Sequence, residues 1–176
     1  MLFTDTELKI IMDLVSACYL DVDDTLQPMG VHDEDSYLRG IKLWRTLIRL
    51  SNEGRFPPIC VISGRGDAYL ESFAFTLGDQ EQNLPRISEG GALIKRSGRR
   101  PEMNPAITPE AVNALQEVRR RIPSILEACP GFYLYEGKVL CVTLERNPDS
   151  PMSIEDARER VEQEIADLLP CGIQVG

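Results

Sequence analysis

Two short apolar runs in this chain break off into polar residues in the same way, and that repetition restricts the fold. ACYL, residues 17–20, stops abruptly at DVDDT, and PPICVI, residues 57–62, stops abruptly at SGRGD. Runs this short and apolar read as buried strands. Between them, Leu38, Ile41, Trp44, Leu47 and Ile48 share one face of a helix over residues 35–53, and Gly54 is placed to end it. A second helix follows from Asp67 to Leu77, with Phe73, Ala74 and Leu77 inward and Gly78 just past its end. A short strand at 86–88 comes next. Strands alternating with helices point to an α/β fold, a parallel sheet with crossover helices. In such sheets ligands bind beyond the carboxyl ends of the strands. Asp21 and Ser63 both fall there, so two strands deliver a carboxylate and a hydroxyl to one edge. Ser63 is followed by Gly64 and then a helix, whose first N–H groups suit a phosphate.

The remainder has a different rhythm. Leu8, Ile11, Met12 and Val15 give a leading helix at 5–15. Residues 96–109, rich in Pro, Gly and charge, mark a boundary. Thr108 is placed to cap a helix with Pro109 at its first position. Val112, Leu115, Val118 and Ile122 form its stripe, and Pro123 is placed to kink or end it. FYLY, a turn at Glu136-Gly137-Lys138, and VLCVTLE make a hairpin. A last helix starts at Ser153, with Asp156 as its capping partner and Ile154, Ala157, Val161, Ile165 and Leu168 inward. A final strand is expected at 173–175. The expected division is a core over 1–97 and a second α/β part over 98–176.

Charge excludes one class of partner. The net charge is −9, so nucleic acid is not expected, because phosphate backbones need a basic footprint. The clusters Lys95-Arg96, Arg99-Arg100 and Arg119–Arg121 read as a solvated loop and a solvated helix face. The five cysteines are scattered and odd in number. They read as reduced thiols of a cytoplasmic protein, not as a disulfide or zinc framework. The single histidine, His32, argues against a histidine metal site or a Ser-His-Asp triad. Neither a signal peptide nor a membrane span is expected.

DVDDT itself admits several meanings. A calcium loop counted from Asp21 needs Gly sixth and Glu twelfth, where this chain has Leu26 and His32. A receiver domain would place its phosphoacceptor aspartate after a later strand, where Ser63 stands instead. A solvated acidic turn remains open. So does a D-x-D-x-T phosphotransfer site, in which Asp21 attacks phosphorus and Asp23 moves protons. Mg²⁺ would offset the charge there.

DVDDTL after one strand and VISGR after the next resemble motifs one and two of the haloacid dehalogenase (HAD) superfamily. ISEGGALI, residues 87–94, resembles the E-N-G-A segment of its Cof-like, sugar-phosphate phosphatase branch, with Gly90 in place of Asn. In that branch an α/β cap is inserted after the third core strand, and residues 98–176 look like such a cap. EGKVLCVTLERNP is similar to the cap hairpin, with Glu145 where His is common.

The resemblance implies a Rossmann-like HAD core, Mg²⁺, and hydrolysis of a small phosphorylated metabolite such as a sugar phosphate. By the same resemblance Asp21 is nucleophile and metal ligand. Asp23 is acid/base and ligates through its carbonyl, Thr25 steadies the loop, and Ser63 with the Gly64 N–H holds the phosphoryl oxygens. Arg65 is either a helix-start charge or a substrate contact. Glu89 is either a supporting contact or a loop residue. Glu136 and Lys138 read as turn charges. Family members return to the core after the cap with a lysine and an acidic metal-binding motif, and neither is found before Gly176. LGDQEQN, residues 77–83, imitates the acidic motif but follows a helix, so it reads as a solvated loop. The expectation is therefore a fragment or a reduced relative that binds phosphate or a partner without turnover. Weak Mg²⁺ binding and a homodimer through an exposed sheet edge are expected with it.

Overall fold

The structure is a computed structural model and describes residues 16–22, 34–79 and 83–176. The expected leading helix, His32, Asp23 and Thr25 lie outside the described residues. The chain divides into two compact units, residues 1–102 and 103–176.

In the first unit the strand–helix alternation produces a sheet with the order β1 (Cys18–Asp21), β2 (Ile59–Ile62), β3 (Arg86–Ser88), β4 (Leu93–Lys95) and β5 (Glu102–Met103). β1, β2 and β3 run parallel, and β4 returns antiparallel to β3. The crossovers are α1 (Glu34–Asn52) and α2 (Asp67–Thr76). This is a mixed α/β fold of the Rossmann-like kind. β4 and β5 are strands that the glycines and charges of 90–102 conceal.

Trp44 and Ile48 of α1, Leu70 and Ala74 of α2, and Ile59 and Val61 of β2 build the core with Val22, Leu77 and Leu84. The α1 stripe is shorter than its periodicity suggests, because Leu38 is exposed. Asp79 follows the end of α2 and its carboxylate accepts the Asn83 and Leu84 N–H groups. Asp79 thus anchors the residues that lead into β3, so the Gly-Asp start of LGDQEQN serves the fold.

The second unit packs α3 (Pro109–Ala128) and α4 (Ile154–Glu164) with the hairpin β6 (Phe132–Tyr135) and β7 (Thr143–Arg146). Both helix starts are capped as their sequences dictate. Thr108 accepts the Ala111 N–H, and Ser153 Oγ accepts the Asp156 N–H while donating to its carboxylate. Several expectations need correction. α3 continues through Pro123 to Ala128, because Ile122 and Ile125 on either side are buried and packing holds the helix. Ile154 begins α4 exposed rather than inward. Residues 173–176 form no strand, although Ile173 and Val175 pack on the core.

The hairpin is also wider than a tight turn. Tyr135 pairs with Thr143, so residues 136–142 form a loop and VLCV is not strand. Gly137 takes a left-handed φ of 95° there. The loop carbonyls of Lys138, Val139 and Cys141 converge on one guanidinium nitrogen, Arg119 Nη2, at 2.8, 2.9 and 3.2 Å. Arg119 is thus a loop clamp and not part of a solvated face. Arg121 likewise grips Asp167 with two bonds of 2.6 and 2.7 Å. Arg120 stays exposed.

Candidate active site

Parallel pairing fixes the site edge. Asp21 lies opposite Ile62 in the β1–β2 register, so Ser63 is one step beyond Asp21 on the neighbouring strand. The strand ends are stitched together in series. Val22 N–H donates to Ile62 O at 3.2 Å, and Ser63 N–H donates to Ile87 O at 3.0 Å. The carboxyl ends of β1, β2 and β3 therefore form one continuous edge carrying Asp21, Ser63 and Glu89.

Asp21 is exposed, and its Oδ1 accepts the Val22 N–H at 2.8 Å. Ser63 is buried, with 2% of its surface exposed. Its Oγ accepts the Arg65 N–H at 3.1 Å, which folds SGR into a tight loop leading to α2. Among the described residues, nothing approaches within 4 Å of where a Cβ on Gly64 would sit. The Arg65 guanidinium lies 4.5 Å from the Tyr69 ring centre. Tyr69 stacks on Phe73, and Phe73 meets Trp44 edge-on. A line of aromatic rings thus runs from the site edge into the core. Of the sequence-predicted residues, Asp21, Ser63, Gly64 and Arg65 come together here. Asp23 and Thr25 lie outside the described residues.

Two basic residues of this unit are buried. Arg86 opens β3 at 2% exposure and grips Asp67 of α2 with bonds of 2.7 and 3.0 Å. Lys95 lies opposite Arg86 in the β3–β4 register and is 4% exposed, so it is no solvated loop charge. Burial, and then the Arg86 charge, push the Lys95 ammonium below its usual range, while Asp79, Asp67 and Glu71 pull it back. The available signal was an arginine inside a three-residue strand, which demands a buried acid, and Asp67 at the start of the helix after Ser63 supplies it. Because Lys95 sits at the amino end of β3, it places no lysine at the carboxyl edge.

The residues for Mg²⁺ can be weighed by donor chemistry. Mg²⁺ takes one or two carboxylates and completes its shell with water and phosphate. The exposed Asp21 carboxylate suits it. Among the described residues no three His, Cys, Asp or Glu side chains gather as a metal cluster. No described helix is long and apolar enough to cross a membrane.

No family model matches the sequence, and no curated protein matches it. Solved structures do. The C-terminal domain of trehalose-6-phosphate phosphatase from Candida albicans superposes with a TM-score of 0.65 at 23% identity, over 99% of this chain and 58% of that one. The C-terminal domain of the Candida albicans trehalose synthase regulatory protein gives 0.59 at 17% identity, over 97% of this chain and 56% of that one. The chain spans less than two thirds of either structure. At these identities the likeness is one of fold: this chain shares the fold of a phosphatase domain and of a domain from a regulatory protein.

Proposed function

We propose that the chain carries the phosphate-handling edge of a Mg²⁺-dependent, HAD-type phosphomonoester hydrolase acting on a small phosphorylated metabolite, such as a sugar phosphate. One observation carries this: Asp21 ends β1 and Ser63 directly follows the parallel β2, one register step apart, on a fold shared with a trehalose-6-phosphate phosphatase domain.

On this proposal an Asp21 carboxylate oxygen attacks phosphorus, and the ester oxygen leaves with a proton from Asp23. Water then cleaves the aspartyl-phosphate, Asp23 takes its proton, and phosphate departs with Asp21 restored. The Ser63 hydroxyl and the Gly64 N–H hold phosphoryl oxygens, with the first turn of α2 behind them. Arg65, drawn off Tyr69, adds a cation beside them, and Thr25 steadies the Asp21 loop. Asp21 and the Asp23 carbonyl would hold Mg²⁺, whose chemistry is to neutralise phosphate charge.

A second proposal, a phosphate-binding or interaction module without turnover, is favoured by the position of Lys95. Its place opposite Arg86 leaves the carboxyl edge without a lysine from that strand. Turnover of p-nitrophenyl phosphate with Mg²⁺ separates the two. The enzyme proposal expects hydrolysis, reduced about 100–1,000-fold in kcat by Ser63→Ala, the loss of one oxyanion donor. A folded wild-type chain that binds phosphate but releases none from the ester supports the module.

A further inference from the structure

Glu89 occupies a conformation that its side chain does not favour. Its φ is 53°, the single positive value for a non-glycine residue among the described residues. The next two residues share the left-handed region, Gly90 at 65° and Gly91 at 100°, and both are glycine, the residue such turns select. A third glycine would be the relaxed choice at 89. The chain instead has a carboxylic acid there, and buries it to 4% exposure. Burying an acid and holding it left-handed both act against folding. Its neighbour Ser88 is 1% exposed, and its Oγ has no hydrogen-bond partner among the described residues. The end of β3 therefore concentrates polar burial that the turn alone does not require.

The backbone at this point is bolted to the SGR loop. Glu89 N–H donates to Arg65 O at 2.9 Å, and Gly90 N–H donates to Ser63 O at 3.3 Å. With the Ser63 N–H held by Ile87 O at 3.0 Å, the β3 turn grips Ser63 and Arg65 from both sides. A change in φ at residue 89 would swing the Gly90 N–H away from Ser63 O.

We propose that Glu89 is a positioning residue: its buried side chain locks the β3 turn, and through the Glu89 and Gly90 N–H groups sets the Ser63-Gly64-Arg65 loop for phosphate. The inference deepens the phosphatase proposal and rests on it for its kinetic arm alone.

The test uses the full chain with Glu89→Gly, which relaxes the backbone, and Glu89→Gln, which keeps the shape. Hydrogen exchange of the 63–66 amides and hydrolysis of p-nitrophenyl phosphate with Mg²⁺ are both measured. Expected is at least ~10-fold faster loop exchange in Glu89→Gly, with β2 protection unchanged, and a KM raised about 10-fold with kcat changed less. Glu89→Gln is expected to fall between Glu89→Gly and wild type. Loop exchange and KM both at wild-type values in Glu89→Gly would overturn the proposal. If the wild type shows no hydrolysis, the phosphatase proposal fails, and the exchange measurement still decides the role of Glu89.

Discussion

Asp21→Asn is expected to lower Mg²⁺-dependent hydrolysis of p-nitrophenyl phosphate at least ~1,000-fold, a barrier increase of about 4 kcal/mol. Asparagine keeps the size of the side chain, and its amide oxygen can still accept the Val22 N–H that Asp21 Oδ1 accepts at 2.8 Å. The strand end is therefore preserved, and thermal unfolding should stay within a few degrees of wild type. What disappears is the anionic oxygen that attacks phosphorus and the carboxylate offered to Mg²⁺. Residual activity within ~10-fold of wild type would remove Asp21 from the nucleophile role.

The second large effect is on stability and lies beneath the site. Arg86 and Asp67 are 2% and 16% exposed in their side chains and bonded at 2.7 Å. Removing one partner of such a buried pair costs about 3–5 kcal/mol, because the other charge is left without compensation. Asp67→Asn is expected to be the worse substitution, since it leaves the buried Arg86, opposite Lys95 in the β3–β4 register, facing the more exposed Glu71 carboxylate at 4.0 Å. Arg86→Met should cost less. The double variant should cost less than the sum of the singles, as apolar replacement of a whole pair is often near neutral. Urea unfolding monitored through Trp44, the chain's one tryptophan and a member of this core, measures all three. Additive losses would show that the two residues act independently. The pair also connects stability to the site, because Asp67 starts the helix that follows Ser63-Gly64-Arg65.

What the sequence made legible follows from periodicity. β1, α1, β2, α2 and β3 are readable because each apolar run or stripe ends on a clear signal, such as Gly54, Gly78 or the switch to DVDDT. The helix caps at Thr108 and Ser153 are equally local, and the side chains meet the N–H groups their spacing implies. The errors arise where long-range partners override local pattern. VLCV looks like strand, yet the Arg119 guanidinium gathers the carbonyls of that segment into a loop. Lys95 looks like part of a basic loop, yet the antiparallel turn through Gly90 and Gly91 carries it into the sheet. Pro123 looks like a stop, yet the buried residues around it keep α3 intact.

At the site, the placement of Asp21 and Ser63 at one edge was readable because parallel strands bring their carboxyl ends together. Glu89 was harder to weigh. Its left-handed backbone and its burial are tertiary facts, and only the glycines after it hint that the turn is tight.

If Asp21 is the nucleophile, it takes up a phosphoryl group, and covalent trapping detects that group. The chain is mixed with p-nitrophenyl phosphate and Mg²⁺, quenched in acid, digested and mapped by mass spectrometry. Expected is a phosphoryl mass on the peptide containing Asp21, assigned to that residue, dependent on Mg²⁺ and absent from Asp21→Asn. Hydrolysis that proceeds with no adduct on Asp21, or with the adduct on another residue, would contradict it.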